Sequence, residues 1–518
     1  GDLPLAIAQA GATACAEDWT LKKYLVRLKR YSISIVIKPV QGDSYTEDVY
    51  KALLMAVDAA LEKLGDNECE VARRQLDGLA LLAQSGVPTR WIDPLSTDVY
   101  SSDLEENVPD IADVNAHSAL TALVKMSVVQ QSADKTITML HRLQAQVLRD
   151  NWGAETATRE EAFDAAVEIL GRTKYEQLPS DDTYAQRREA SDLITQLSAI
   201  AIQDYSRLLF EREQVRSYLN RAFEYADDLG LVYEAVELEV AVAVVEDVLG
   251  PDHPGTLTVC GNLAIAYESV GRFGEAIDAW EKLLPDCQRV LGADHPDTLS
   301  VRNNLALAYL SVGRFGEAIE LFERVLDERK RVLGPDHPAT LGVRNNLAIA
   351  YKYVGRFGEA IELFEQVLDE RERALGADHP VTLATRNSLA VAYESVGRFG
   401  EAVELFEQVL AERKRLLGAD NPDTLKTRNN LASVYYSVGR FGEAIDAWEE
   451  LLLDCQRVLG ADHPDTLNTR NNLAGAYDSA GHLAEAIDAW EELLPDCQWV
   501  LGLEHPLTKQ VEKNLEAA

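Results

Sequence analysis

The stretch Arg302–Pro338 reads RNNLALAYLSVGRFGEAIELFERVLDERKRVLGPDHP, and near-copies of it recur along the chain. The Leu-Gly pair near its end marks the period. Gly250, Gly292, Gly334, Gly376, Gly418, Gly460 and Gly502 follow one another in steps of 42 residues. A fixed period of this length is the mark of stacked repeats, in which each unit touches only its neighbours. Six full units run from about 255 to 502, and a last helix, Thr508–Leu515, follows them. One blurred unit precedes them, because Asn220, Ala222 and Tyr225 stand one period before Asn262, Ala264 and Tyr267.

Each unit reads as two helices. Asp297 or Thr298, just after a proline, is expected to cap the first. Leu299, Leu305, Ala306 and Tyr309 then recur at helical spacing, and Gly313 supplies a left-handed stop. Phe315, Ala318, Ile319, Phe322 and Leu326 form the apolar face of the second helix, which closes at Leu333-Gly334. Small Ala306 and Ala318 let the pair approach closely. The units fall into two subtypes, one with Phe322, Phe364 or Phe406, the other with Trp280, Trp448 or Trp490 in the same slot. The Trp is therefore expected in the core, and the subtypes read as a record of duplication.

This order of Asn304-Leu305-Ala306, Tyr309, Gly313, Phe315, Ala318 and Phe322 resembles the tetratricopeptide repeat. The usual unit has 34 residues; the extra eight here lengthen the second helix by about two turns. The NNLA and LGxDHP signatures resemble the repeats of kinesin light chains and of bacterial regulators that share them. Arg302 and Cys260 stand where the shorter motif favours Trp. The resemblance implies a mainly all-α chain built as an α-α superhelix, with the first helices lining its inner wall.

Composition narrows the classes. The chain is 47% hydrophobic and 26% charged, which is the range of folded protein. Its net charge of −36 argues against nucleic acid as a partner. No run of about 18 apolar residues would span a membrane. The six cysteines contain no CxxC pair, and Cys287, Cys455 and Cys497 are separated by whole repeats. They read as reduced thiols in a cytoplasmic protein.

The histidines invite a catalytic or metal reading. His253, His295, His337, His379, His463 and His505 share one slot, which Asn421 fills in the remaining unit. A metal needs its ligands about 2 Å from one ion, whereas packed helices lie about 8–10 Å apart. The slot is therefore structural. No catalytic residue, enzyme activity or metal site is expected.

The polar rows are different. Arg302, Arg344, Arg386, Arg428 and Arg470 form one row. Asn303, Asn345, Asn387, Asn429 and Asn471 form the next. Asn262, Asn304, Asn346, Asn430 and Asn472 form a third, with Ser388 in its gap. An amide both donates and accepts, and a guanidinium suits a carboxylate. The resemblance implies that first-helix Asn side chains hold an extended peptide in the groove; both residue types could equally tie neighbouring helices together. A further row, Glu268, Leu310, Lys352, Glu394, Tyr436 and Asp478, varies from unit to unit and would read the side chains of such a peptide or protein.

The first 210 residues lack the period. GDLPLAIAQAGA resembles the GLPLA motif of NB-ARC-type signal-transduction NTPases, with Asp2 in place of its Gly. The resemblance places Pro4 near the base of a nucleotide. Ala119–Asp150 reads as helix, polar turn, strand (Thr136–Met139) and helix, similar to the winged-helix domain of that family. Its LHRL resembles the Met-His-Asp motif and implies that His141 contacts an ADP phosphate, although Leu140 and Arg142 replace Met and Asp. The implied organisation is the end of a helical domain over 1–35, a winged-helix-like domain over 36–153, connecting helices over 154–210 and the repeats over 211–518. No GxxxxGK[ST] occurs, so no phosphate-cradling loop lies in this chain. Gly1, with no initiator Met, is read as the start of a piece. The nucleotide domain, with its ADP or ATP, is expected upstream of it; this chain holds no cofactor of its own. The expected function is the protein- or peptide-binding sensor arm of such an NTPase. The alternative is a stand-alone adaptor that scaffolds a complex.

Overall fold

Helix-forming runs dominate the chain and short β-prone stretches interrupt them only near its start. The computed structural model describes residues 20, 23, 47–83, 85–96, 110–152, 156–178, 183–503 and 505–518. Pro4 and nearly all of the expected 1–35 segment lie outside them. The chain divides into two units, Gly1–Gly292 and Ala293–Ala518.

In the first unit, α1 (Glu47–Leu61) and α2 (Asp66–Leu81) lead into β1 (Val87–Pro88) and the short α3 (Thr89–Ile92). Then come α4 (Ile111–Lys125), β2 (Gln130–Gln131), β3 (Ile137–Met139) and α5 (Arg142–Asn151). The strands form an antiparallel sheet in the order β1-β3-β2. The polar turn between β2 and β3 is held by Asp134, whose Oδ1 accepts from Ser132 Oγ at 2.6 Å and from Thr136 N at 3.2 Å. The strand, turn and helix expected over Ala119–Asp150 are thus present, the strand beginning one residue later than Thr136.

The connecting helices are α6 (Thr156–Leu170), α7 (Thr183–Ala201) and α8 (Ser206–Phe210). Ala190, Leu193, Ile194, Leu197 and Ile200 recur at helical spacing on α7 and are buried. Two polar groups dock α7 onto the sheet region. Gln196 accepts from Ala83 N at 2.9 Å and donates to Gly86 O at 2.8 Å. Glu189, fully buried, accepts from Arg90 Nε at 2.6 Å and Trp91 Nε1 at 2.9 Å.

The blurred repeat follows as α9 (Glu213–Leu229), with its second half broken into α10 (Val232–Val236) and α11 (Glu239–Leu249). The first full repeat, α12 (Pro254–Ser269) and α13 (Phe273–Val290), completes this unit.

The second unit contains five more helix pairs and an end helix: α14 (Pro296–Ser311) with α15 (Phe315–Val332), α16 (Pro338–Tyr353) with α17 (Phe357–Leu375), and α18 (Pro380–Ser395) with α19 (Phe399–Leu417). These are followed by α20 (Pro422–Ser437) with α21 (Phe441–Val458), α22 (Pro464–Ser479) with α23 (Leu483–Val500), and α24 (Pro506–Ala517). Ala306 and Ala318 are fully buried, as a close helix pair requires, and so are Phe322, Phe364 and Phe406. Trp448 and Trp490 occupy the same buried column. Gly313, at φ +78°, permits a Schellman stop: Arg314 N donates to Tyr309 O at 2.8 Å and Gly313 N to Leu310 O at 3.1 Å. The half-buried Arg314 then stacks its guanidinium over the Tyr309 ring, 3.9 Å from the centroid.

The expected cap is corrected. Asp297 and Thr298 lie inside α14, and the capping residue is His295, whose Nδ1 accepts from Asp297 N at 3.2 Å. His337, His379, His463 and His505 do the same for their helices, and Asn421 does it through Oδ1 at 2.9 Å. Acceptance at Nδ1 puts the ring proton on Nε2. Proline at the first helical position keeps the motif in register, because that position needs no N–H. The threonine three places after the cap ties down the preceding loop: Thr340 Oγ1 donates to Gly334 O at 2.8 Å. His337→Ala is expected to lower stability by about 1 kcal/mol, whereas His337→Asn, which copies Asn421, should stay close to wild type. Chemical denaturation of the two variants measures the difference, and equal losses would refute the capping role.

Candidate functional site

The rows expected to form a groove sit on one face of the first helices, and their side chains are linked from repeat to repeat. Asn346 Nδ2 donates to Asn303 Oδ1 at 3.3 Å, Asn430 Nδ2 to Asn387 Oδ1 at 3.4 Å, Asn472 Nδ2 to Asn429 Oδ1 at 3.1 Å and Asn514 Nδ2 to Asn471 Oδ1 at 3.4 Å. In the first unit Asn262 Nδ2 donates to Asn220 Oδ1 at 3.4 Å. Each bond of the second unit spans one period plus one residue, and the Asn262–Asn220 bond spans one period, so asparagines of successive repeats make an amide ladder. Asn304 closes locally by accepting from Asn303 at 3.3 Å. An amide has two N–H donors and two lone pairs, and the ladder leaves part of that capacity facing outward.

Within the second unit the ladder breaks once. Ser388 interrupts the third row, and its hydroxyl turns back to Ala384 O at 3.1 Å. Asn345 Oδ1, which that row would have served, is buried without a hydrogen-bond partner. A buried orphan acceptor costs about 1–3 kcal/mol.

The arginine row faces the other way, which corrects the expectation of a groove role for it. Arg302, Arg344 and Arg386 are buried. Arg302 pairs with Glu328; Arg344 reaches Glu370 at 2.6 Å, Arg428 reaches Asp454 at 2.6 Å and Arg470 reaches Asp496 at 2.6 Å, all on the second helix of the same repeat. Arg386 instead takes Glu372 of the preceding repeat at 2.5 Å. These guanidiniums already hold the carboxylates they suit.

The two subtypes also differ at the rail. Trp448 Nε1 donates to Asn429 Oδ1 at 2.9 Å and Trp490 Nε1 to Asn471 Oδ1 at 3.2 Å. A buried indole therefore orients an asparagine of the face in these units, a role the duplication reading did not contain. In the first full repeat Gly261 replaces the rail asparagine, and Trp280 Nε1 turns to Glu268 at 2.6 Å.

The varied row is partly desolvated. Burial pushes the carboxyls of Glu268 and Glu394 above the usual range, and it pushes the Lys352 ammonium down against the opposing pull of Glu394. Glu394 accepts from Ser437 Oγ at 3.0 Å, and Tyr436 OH pairs with Ser479 Oγ at 2.8 Å. Leu310 is half-buried and Asp478 exposed.

One feature escaped the reading of the sequence. A column of the same face runs Ile265, Leu307, Ile349, Val391, Ser433 and Gly475. Its side chains shrink toward the last repeats, where a cavity of about 460 Å³ opens between Tyr436, Trp448, Asn471, Asp478, Trp490 and Asn514. The signal was the shrinking column itself, legible once the units are aligned by period.

His141 caps α5 by accepting from Leu143 N at 3.2 Å. No group of three or more His, Cys, Asp or Glu among the described residues could hold a metal. No described helix is long and apolar enough to cross a membrane.

Residues 261–327, 300–369, 343–415, 397–452 and 423–497 match a family model described as tetratricopeptide repeat. A Podosopora anserina kinesin light chain structure with nearly identical TPR-like repeats is 34% identical; the match covers 40% of this chain and 97% of that one, with a TM-score of 0.35. BtubC (BKLC) from P. vanneervenii is 24% identical over 49% of this chain and 94% of its own, with a TM-score of 0.35. A Pyrococcus horikoshii STAND (Signal Transduction ATPase with Numerous Domains) protein with a tetratricopeptide repeat sensor is 14% identical. It covers 92% of this chain and 67% of its own, with a TM-score of 0.51. The search of curated proteins returned no match.

Proposed function

We propose that this chain, a tetratricopeptide repeat protein over residues 261–497, binds an extended peptide or protein segment along the first-helix face of its repeats. Tetratricopeptide repeats are protein-interaction scaffolds, and no catalytic family is indicated for the chain. The amide ladder carries the finer reading. It holds Asn303, Asn387, Asn429 and Asn471, with Asn345 in the same row, and leaves hydrogen-bonding capacity to spare. A peptide backbone offers the complementary pattern of N–H and C=O groups. The varied row of Glu268, Leu310, Lys352, Glu394, Tyr436 and Asp478 then distinguishes side chains, and the arginine row, paired with its own carboxylates, only stiffens the scaffold.

The same proposal makes the chain the sensor arm of an NB-ARC-like NTPase. The β1-β3-β2 sheet framed by α2, α4 and α5 supports a winged-helix module before the repeats. The fold-level likeness to the Pyrococcus horikoshii STAND protein supports the same order of parts. In this reading ADP or ATP belongs to a nucleotide domain upstream of Gly1, and Pro4 and His141 belong to its contacts.

The test is a selection of displayed random peptides on the full chain, followed by titration of the enriched sequences by fluorescence anisotropy. Asn345→Ala with Asn387→Ala removes two rail amides. At about 1 kcal/mol for each hydrogen bond lost, the expected result is affinity weaker by about tenfold or more, with an unchanged far-UV spectrum. Unaltered affinity in the double variant would sink the groove.

A further inference from the structure

The arginine column has one exception. Cys260 stands in the first full repeat where Arg302, Arg344, Arg386, Arg428 and Arg470 stand in the others. In four of those repeats the guanidinium is gripped by the acid 26 residues on, as in Arg428–Asp454; in the fifth it is gripped by the acid 14 residues back, Arg386–Glu372. Both acids are present around Cys260: Asp286 lies 26 residues on and Glu246 lies 14 residues back. Only the arginine is missing.

Its space is open. A cavity of about 200 Å³ lies between α11, α12 and α13, with Cys260, Val242 and Leu283 among its apolar lining, Glu239, Glu246 and Asp286 as its acids and Lys282 at its wall. Comparison with Asp454 shows what the acid lacks. Asp454 takes Arg428 on one oxygen, at 2.6 Å, and the exposed Arg457 on the other, at 2.8 Å. Asp286 takes only Arg289, the counterpart of Arg457, at 2.5 Å. The oxygen that Arg428 would occupy receives no hydrogen bond from the described residues. Lys282 bridges to Glu246 at 2.6 Å, but this pair is solvent-exposed on the lysine side and gives way at little cost. The Cys260 thiol is pushed up to about 11, first by burial and then by Glu246 and Asp286 against the opposing Lys282.

We propose that this cavity binds the guanidinium of an arginine side chain presented by a partner polypeptide. The planar fork spans two carboxylates while the aliphatic stem packs on the leucines. The chain's net charge of −36 favours such a cationic partner. The site involves α11–α13 and does not depend on the amide ladder.

The experiment titrates the full chain with Nα-acetyl-arginine methylamide, and with its lysine counterpart, by calorimetry. Saturable binding of the arginine probe is expected, with the lysine probe weaker because its point charge cannot fork. Cys260→Arg fills the cavity from within; it should raise the melting temperature and abolish probe binding. Asp286→Asn should weaken the probe by about tenfold, which tests the site even where Cys260→Arg misfolds. Asn345→Ala with Asn387→Ala should bind the probe as wild type does. No saturation with the wild-type chain, undiminished binding in a folded Cys260→Arg or in Asp286→Asn, or loss in the asparagine double variant would each overturn the assignment.

Discussion

Phe364→Ala should lower the stability of the repeat array by about 3–5 kcal/mol, read as a shift in the urea midpoint followed by helical circular dichroism. Phe364 is fully buried on α17, and nothing else can fill the space between neighbouring helix pairs once its ring is gone. Each repeat touches only its neighbours, so the loss should also broaden the transition by separating the pairs on either side. A loss below about 1 kcal/mol would mean that the column is not the core of the array. Phe364→Trp is the opposite case. Trp448 and Trp490 each reach the rail asparagine 19 residues before them, and residue 364 stands 19 residues after Asn345. A Trp there would bring an indole N–H to the orphan Asn345 Oδ1. The expected result is stability equal to or above wild type despite the larger side chain. A loss like that of Phe364→Ala would refute the rule that the Trp subtype orients the rail.

Arg90→Met is expected to cost about 3–5 kcal/mol, because it leaves a carboxylate buried without its cation. Glu189 has no exposure and depends on Arg90 Nε at 2.6 Å, with Trp91, Thr173 and Lys174 as further donors. Arg90 also pairs with Asp192. The node joins α3 to α7, so its loss should free the sheet region from the connecting helix. Limited proteolysis between 153 and 183 should then speed up in the variant. Restoring charge balance with Arg90→Met and Glu189→Leu together should recover much of the stability. If the single variant behaves like a surface substitution, the node is not the joint between these parts.

The repeats were legible because helical periodicity and the 42-residue period act on the same residues. Phe322, Ala306, Ala318 and Gly313 could be assigned to core, contact and stop from spacing alone. The histidine slot was legible as structural, but not as a cap; that role depends on a ring nitrogen turned back onto a backbone N–H two residues on. The arginine row shows the same limit. Its partners lie 26 residues on or 14 residues back, distances unrelated to the helical or the repeat period, so the row could not be assigned to an inner or an outer face. The orphan Asn345, set by a serine 43 residues away, and the cavity at Cys260, set by an absent side chain, were visible only as mismatches between units.

Order along the chain by itself determined how many helix pairs form, where each stops and which residues must be buried, because these follow from local dihedral preferences and from apolar period. Tertiary structure alone decided which polar side chains meet. A hydrogen bond or ion pair is directional and short-ranged, so only the stacking of one helix pair on the next tells an amide facing outward from an arginine turned in.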